Sequence, residues 1–179
     1  NDTVIHGIPS TAEVIREGDI VSIDTGALYK GWHGDNAGTF MAGEASEEAK
    51  RLIEVTKQSF FEGLKAAVVG NRIGDISHAI QEDVEKNGFS VVREYVGHGI
   101  GREMHEDPEV PNFGHLGRGA RLVPGMTLAI EPMVNAGAVA VRQMPDGWGV
   151  KTKDGSLSAH FERSIVITTN GPVILTDPA

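Results

Sequence analysis

Three glycines at alternate positions, Gly97, Gly99 and Gly101, surround His98 in the stretch YVGHGIGREMHEDPEV, residues 95–110. His105 follows seven residues later, a separation of two helical turns. A helix is nevertheless disfavoured, because each interior glycine costs roughly 1 kcal/mol relative to alanine. Alternating glycine suits an extended segment that something approaches closely: a phosphate, a metal or a neighbouring strand. The G-x-G-x-x-G spacing of a phosphate loop is missing, and Pro108 and Pro111 follow where such a loop would open a helix. A plain strand with a surface histidine and a metal-binding strand both remain open.

The rest of the chain reads as mixed α and β. Residues 19–23 (DIVSI) form a short apolar strand. Residues 46–69 carry the strongest helix pattern, with Ser46 as N-cap, acids in the first turn, and Leu52, Val55, Ser59, Phe60 and Leu64 near helical spacing. A second helix spans about 75–87, with Ile76, Ile80 and Val84 on one face and an Asn-Gly stop. Residues 90–96 read as a strand and 106–125 as a Pro- and Gly-rich loop, followed by strands at 126–131, 139–144 and 163–168. Helices grouped after the first strands imply an α+β domain.

Length and composition bound the function. A chain of 179 residues fits one domain, or two halves sharing a core. It contains no cysteine, so disulfide frameworks, zinc fingers and thiol nucleophiles are excluded. A net charge of −9 without a clustered basic face argues against nucleic-acid binding. No run reaches the roughly 18 apolar residues of a membrane span and no signal peptide opens the chain, so the cytoplasm is the simplest compartment.

Residues 17–27 (EGDIVSIDTGA) and 124–134 (PGMTLAIEPMV) share a layout of turn glycine, short apolar strand and an acid at the strand's end. Each acid has a second one downstream: Asp35 after Asp24, and Glu162 after Glu131. Asp24 or Asp35 alone reads most simply as a turn acid, and Arg163 offers Glu162 a surface reading. Glu131 is harder to dismiss. A carboxylate closing the run MTLAI must be paired, protonated or metal-bound, since an unpaired buried charge is very costly. Four carboxylates would overload one divalent ion but balance two, and with His98 they make an oxygen-rich set suited to Mn²⁺, Fe²⁺ or Co²⁺ at least as well as Zn²⁺. His78 reads as a packed or surface helix residue, while His33, His115 and His160 carry no specific signal.

Five stretches, HGIP (6–9), residues 18–40, 96–114, 124–137 and 146–168, together resemble the type I methionine aminopeptidases of peptidase family M24. The resemblance implies the pita-bread fold, two pseudo-symmetric halves around a curved antiparallel sheet, as a single catalytic domain over residues 1–179. Relative to the family the chain is expected to lack the N-terminal segment. The long insertion of the type II enzymes is not evident, and prolidases differ around HGIP. By motif, Asp24, Asp35, His98, Glu131 and Glu162 match the ligands of two divalent cations (Co, Mn, Fe or Zn), with Asp35 and Glu162 bridging. His105 matches a histidine that hydrogen-bonds the substrate carbonyl, and His6 one near the scissile amide nitrogen. Trp148 matches a wall of the methionine side-chain pocket.

The implied activity is hydrolytic removal of the N-terminal methionine from nascent polypeptides with a small second residue, with Glu131 as proton shuttle. A monomer with transient ribosome association is implied, with no membrane or nucleic-acid partner of its own. The alternatives are an inactive truncated form, which would take up metal without turnover, and a non-catalytic pita-bread protein-binding module, which would not take up metal.

Overall fold

The computed structural model describes residues 1–177. The first strands are β1 (Thr3–Ile5), β2 (Ile20–Asp24), β3 (Ala27–Tyr29), β4 (Trp32–Gly34) and β5 (Asn36–Met41). Two helices follow, α1 (Glu47–Ala66) and α2 (Ile73–Lys86). The chain then returns to short strands: β6 (Ser90–Val91), β7 (Gly97–Gly99), β8 (Glu106–Val110), β9 (Thr127–Ile130), β10 (Met133–Asn135) and β11 (Val141–Gln143). Last come β12 (Val150–Thr152), β13 (Ser158–His160), β14 (Glu162–Thr168) and β15 (Gly171–Ile174). The α+β reading holds.

Ser46 caps α1, its side chain accepting the Ala49 N–H, and Leu52, Val55, Ser59 and Phe60 are buried as the helical spacing requires. The helix stops at Ala66, not at residue 69: the Asn71 side chain takes the Ala66 carbonyl, and Gly70 turns the chain with φ of 96°. Helix α2 begins at Ile73, two residues before the expected start. The Asp75 carboxylate accepts the Arg72 N–H at 2.7 Å, satisfying a donor just ahead of the first turn. Ile76, Ile80 and Val84 are fully buried on the face it turns to the core.

The main sheet runs β2-β5-β14-β9-β7-β8, with β15 sharing an edge of β14 with β5, and all pairs are antiparallel. Leu128 and Ile130 of β9 and Ile165 and Ile167 of β14 join the helices in the principal core. The side chains of opposite parity, among them Ala37, Ala129 and Glu162, face the other way. The repeated layout at 17–27 and 124–134 becomes two antiparallel strand pairs, β2–β5 and β9–β14. Their returning strands lie side by side, Glu162 opposite Ala37 and Arg163 opposite Asn36. A pseudo-twofold relation therefore places the acid-bearing ends of both pairs at one seam.

Two sequence expectations fail. Residues 90–96 are not one strand: pairing with the three-residue β10 is limited to Ser90 and Val91, so residues 93–96 have no ladder to join. The stretch 106–125 is not all loop, because Glu106–Val110 pairs with β7. β8 lies at the edge of the sheet, and Pro108 falls where its register with β7 shifts, a position that tolerates a residue without an N–H.

The glycines of β7 are explained by the strands beside it. A Cβ on Gly97 would lie 2.3 Å from the Ala129 carbonyl oxygen, and one on Gly99 would lie 2.3 Å from the Asp107 carbonyl oxygen. Backbone on both sides cannot yield as a flexible side chain would. Gly99→Ala is therefore expected to destabilise the chain by about 1–3 kcal/mol, the usual cost of overpacking. Chemical denaturation measures it, and an unchanged midpoint would show that β7 has slack.

Candidate metal centre

Sheet register brings the candidate acids together. Asp24 ends β2 opposite Ala37, Asp35 directly precedes β5, Glu131 directly follows β9, and Glu162 opens β14. With a side-chain period of two, Asp24, Asp35, Glu131 and Glu162 share the parity of Ala37 and Ala129, so all four turn to one face of the sheet. His98 of β7 pairs with Ala129 and shares that face, one diagonal step from Glu131. Alanine at 37 and 129 leaves room above the sheet for longer side chains. One donor atom each from Asp35, His98 and Glu162 lie within 4.8 Å of one another. Glu131 Oε1 is 3.4 Å and Asp35 Oδ2 3.9 Å from His98 Nε2, and Asp24 lies near enough to Asp35 for the Asp35 charge to act on it.

Hydrogen bonds around the cluster fix its parts. His98 Nδ1 donates to the Gly99 carbonyl at 2.8 Å, so Nε2 is left with a lone pair directed at the carboxylates. The Asp35 main chain is locked to Ser164, whose hydroxyl accepts the Asp35 N–H at 2.9 Å and donates to its carbonyl at 3.0 Å. Asn112 donates to the Glu131 carbonyl at 3.0 Å.

The remaining sequence candidates stand around this centre. The exposed His105 ring lies 4.3 Å from the His98 ring, and a cleft of about 440 Å³ opens beside both. His6, at φ of 56°, stands edge-on to Tyr95 at 6.1 Å and to the exposed Trp148 at 6.5 Å. Two residues escaped the sequence reading. Tyr95 joins His6 and Trp148. His160, which carried no signal by itself, is only 2% exposed, with Nε2 3.8 Å from Glu131 Oε2. The available clue was alternation, since His160 lies two residues before Glu162 and so turns the same way.

The electrostatics are those of crowded acids, with Arg163 countering part of the charge at Glu162. Burial, then the charges of Asp24 and Asp35, raises the Glu131 carboxyl well above the usual carboxylate range. Burial, then the Glu131 charge, does the same to Glu162. Desolvation, then the Asp35 charge, pushes Asp24 up to about 6. Burial lowers His98, and takes His160 down to about 4. Glu162 Oε1 and His160 Nε2 are buried without a hydrogen-bond partner among the described residues. An unpartnered carboxylate oxygen, a bare imidazole lone pair and mutually repelling acids all fit divalent cations, which would relieve each of them.

Comparison with known proteins agrees. The model of metallopeptidase family M24 matches residues 1–169. Methionine aminopeptidase of Clostridium acetobutylicum is 61% identical over 176 residues, covering 98% of this chain and 70% of that protein. Methionine aminopeptidase 1 of Bacillus subtilis is 53% identical, with 98% of this chain and 71% of that protein covered. The crystal structure of methionine aminopeptidase from Thermotoga maritima superposes with a TM-score of 0.97 at 52% identity, over 99% of this chain and 72% of that one. The curled antiparallel sheet with its two helices is the pita-bread fold.

The shifted acids set the pH response of the metal-free chain. Histidines held low in the native state stop contributing a slope once pH exceeds their unfolded value of 6.5. Above that, native Glu131 and Glu162 retain protons that the unfolded chain has released, so stability falls as pH rises. The melting temperature of metal-free protein is therefore expected to decline from about pH 7 to about pH 9, and added Mn²⁺ to raise it and flatten the decline. A metal-free melting temperature that climbs over this range would contradict the repulsion.

Proposed function

Because the chain belongs to metallopeptidase family M24, we infer that it removes the N-terminal methionine from polypeptides by hydrolysis, as one catalytic domain. The observation carrying this is the convergence of four carboxylates and one imidazole on one sheet face, in a chain 61% identical to a methionine aminopeptidase. Asp24, Asp35, His98, Glu131 and Glu162 are the groups that would hold two divalent cations, with Asp35, His98 and Glu162 already within 4.8 Å of one another. Divalent cations in such a site supply activation of water at neutral pH and polarisation of a carbonyl oxygen. The donor set suits Mn²⁺, Fe²⁺ and Co²⁺ as well as Zn²⁺.

The chain's own groups do the rest. Glu131, whose burial raises its proton affinity, takes a proton from the attacking water and returns it to the departing amine. His105, exposed beside His98, donates a hydrogen bond to the carbonyl oxygen as negative charge develops there. His6 stands where the scissile amide nitrogen lies, and with Tyr95 and Trp148 it borders the pocket for the methionine side chain, whose unbranched thioether adapts to an aromatic wall. A small second residue is the preference that the family resemblance implies. The substrates are nascent-chain N-termini in the cytoplasm, met by a monomer in transient contact with the ribosome. Among the described residues no helix is long and apolar enough to cross a membrane.

Release of methionine from a Met-Ala-Ser peptide tests the activity. Metal-free protein is expected to be inactive, to gain activity over about two equivalents of Mn²⁺ or Co²⁺, and to lose it in Asp35→Ala. Metal uptake without turnover would leave the inactive form, and no uptake the binding module. His105→Ala is expected to lower kcat by about 10²–10³, the usual cost of one oxyanion donor. His105 is exposed, so its loss leaves the core packing intact, and an unchanged kcat would remove it from that role.

A further inference from the structure

His160 is a buried imidazole that the reaction as described does not use. Its ring nitrogen Nε2 has no hydrogen-bond partner among the described residues and lies 3.8 Å from Glu131 Oε2. The other Glu131 oxygen, Oε1, is 3.4 Å from His98 Nε2. The two oxygens are thus divided between two imidazoles of different character. His98 gives its Nδ1 proton to the Gly99 carbonyl and offers Glu131 only a lone pair. His160 Nε2 is free to carry a proton.

The main chains on both sides are held. The Thr39 hydroxyl accepts the His160 N–H at 2.8 Å and donates to the His160 carbonyl at 2.9 Å, and Ser22 supports Thr39 at 2.8 Å. His160 also pairs with Met133 across β10 and β13, while Asn112 holds the Glu131 carbonyl. Only side-chain torsions need to change to bring 3.8 Å to the roughly 2.9 Å of an N–H···O bond.

We propose that His160 is a positioning residue for Glu131: its Nε2–H holds Oε2, fixing the carboxylate so that Oε1 faces the cation beside His98. This rests on Glu131 being a metal-holding group. A packed core histidine would serve equally well in its absence, so the test must separate donor position from bulk. A glutamine amide places its N–H near that of Nε2, whereas an asparagine amide stops near Nδ1.

Metal-free wild type, His160→Gln, His160→Asn and His160→Leu are titrated with Mn²⁺ by calorimetry, and kcat and KM are measured on Met-Ala-Ser. His160→Gln is expected to keep wild-type affinity. His160→Asn and His160→Leu are expected to lose about 10–100-fold in one of the two equivalents, with the loss of activity in kcat and not in KM. In a Glu131→Ala background, His160→Leu is expected to cost nothing further in affinity. If His160→Leu does not fold, the glutamine and asparagine variants decide between themselves. Equal affinity in all variants overturns the proposal, as does equal loss in His160→Gln and His160→Asn. A wild type that takes up no Mn²⁺ overturns the metal reading itself, and the proposal with it.

Discussion

Four carboxylates held on one sheet face repel one another, and the rest of the molecule is arranged to keep them there. Desolvation raises the free energy of each ionised acid, and each neighbouring acid raises it further. Without a cation the cluster relieves that repulsion by holding protons on Glu131 and Glu162, and the remaining cost falls on packing elsewhere. Phe60, Leu52, Ile76, Ile80, Leu128 and Ile165 form a continuous core between helices and sheet, on the side away from the acids. Along β9 and β14 the sheet separates the two tasks: Leu128, Ile130, Ile165 and Ile167 turn to the core, and Glu131 and Glu162 turn the other way.

The separation depends on register. Because successive residues of a strand turn to opposite faces, slippage of β9 or β14 by one position would turn Glu131 or Glu162 to the core side and bring an adjacent residue, such as Ile130 or Arg163, into its place. Cross-links outside the ladders oppose such slippage. Ser164 clasps both main-chain groups of Asp35, Thr39 clasps both of His160, and Asn112 reaches the Glu131 carbonyl. These hydroxyls and amides lie at or beside the acid-bearing strand ends. There the backbone leaves the sheet and would otherwise have the greatest freedom.

The strand β7 solves a related problem by different means. It carries His98 between β8 and β9, and carbonyl oxygens on either side come close enough that Gly97 and Gly99 admit no side chain. The same strand supplies the Gly99 carbonyl that fixes the His98 tautomer. Glycine here is a requirement of close approach between strands; the metal reading of this segment rests on His98 and its neighbours in space.

Much of this was legible in the sequence. Alternating glycine excluded a helix around His98, helical spacing and Ser46 located α1, and a carboxylate closing the apolar run before Pro132 demanded a partner. Those are local signals, set by the stereochemistry of a few adjacent residues. Pairing was not local. That β5 and β14 lie side by side, that residues 93–96 find no strand to join, that Glu106–Val110 finds one, and that His160 arrives beneath Glu131 all depend on contacts between residues far apart in the chain. The sequence by itself determined which residue types could hold a cation and which faces they shared along each strand, because side-chain alternation is a property of the strand alone. Only the tertiary structure decided which strands met and in what register, because that choice is made by the free energy of burying one shared core.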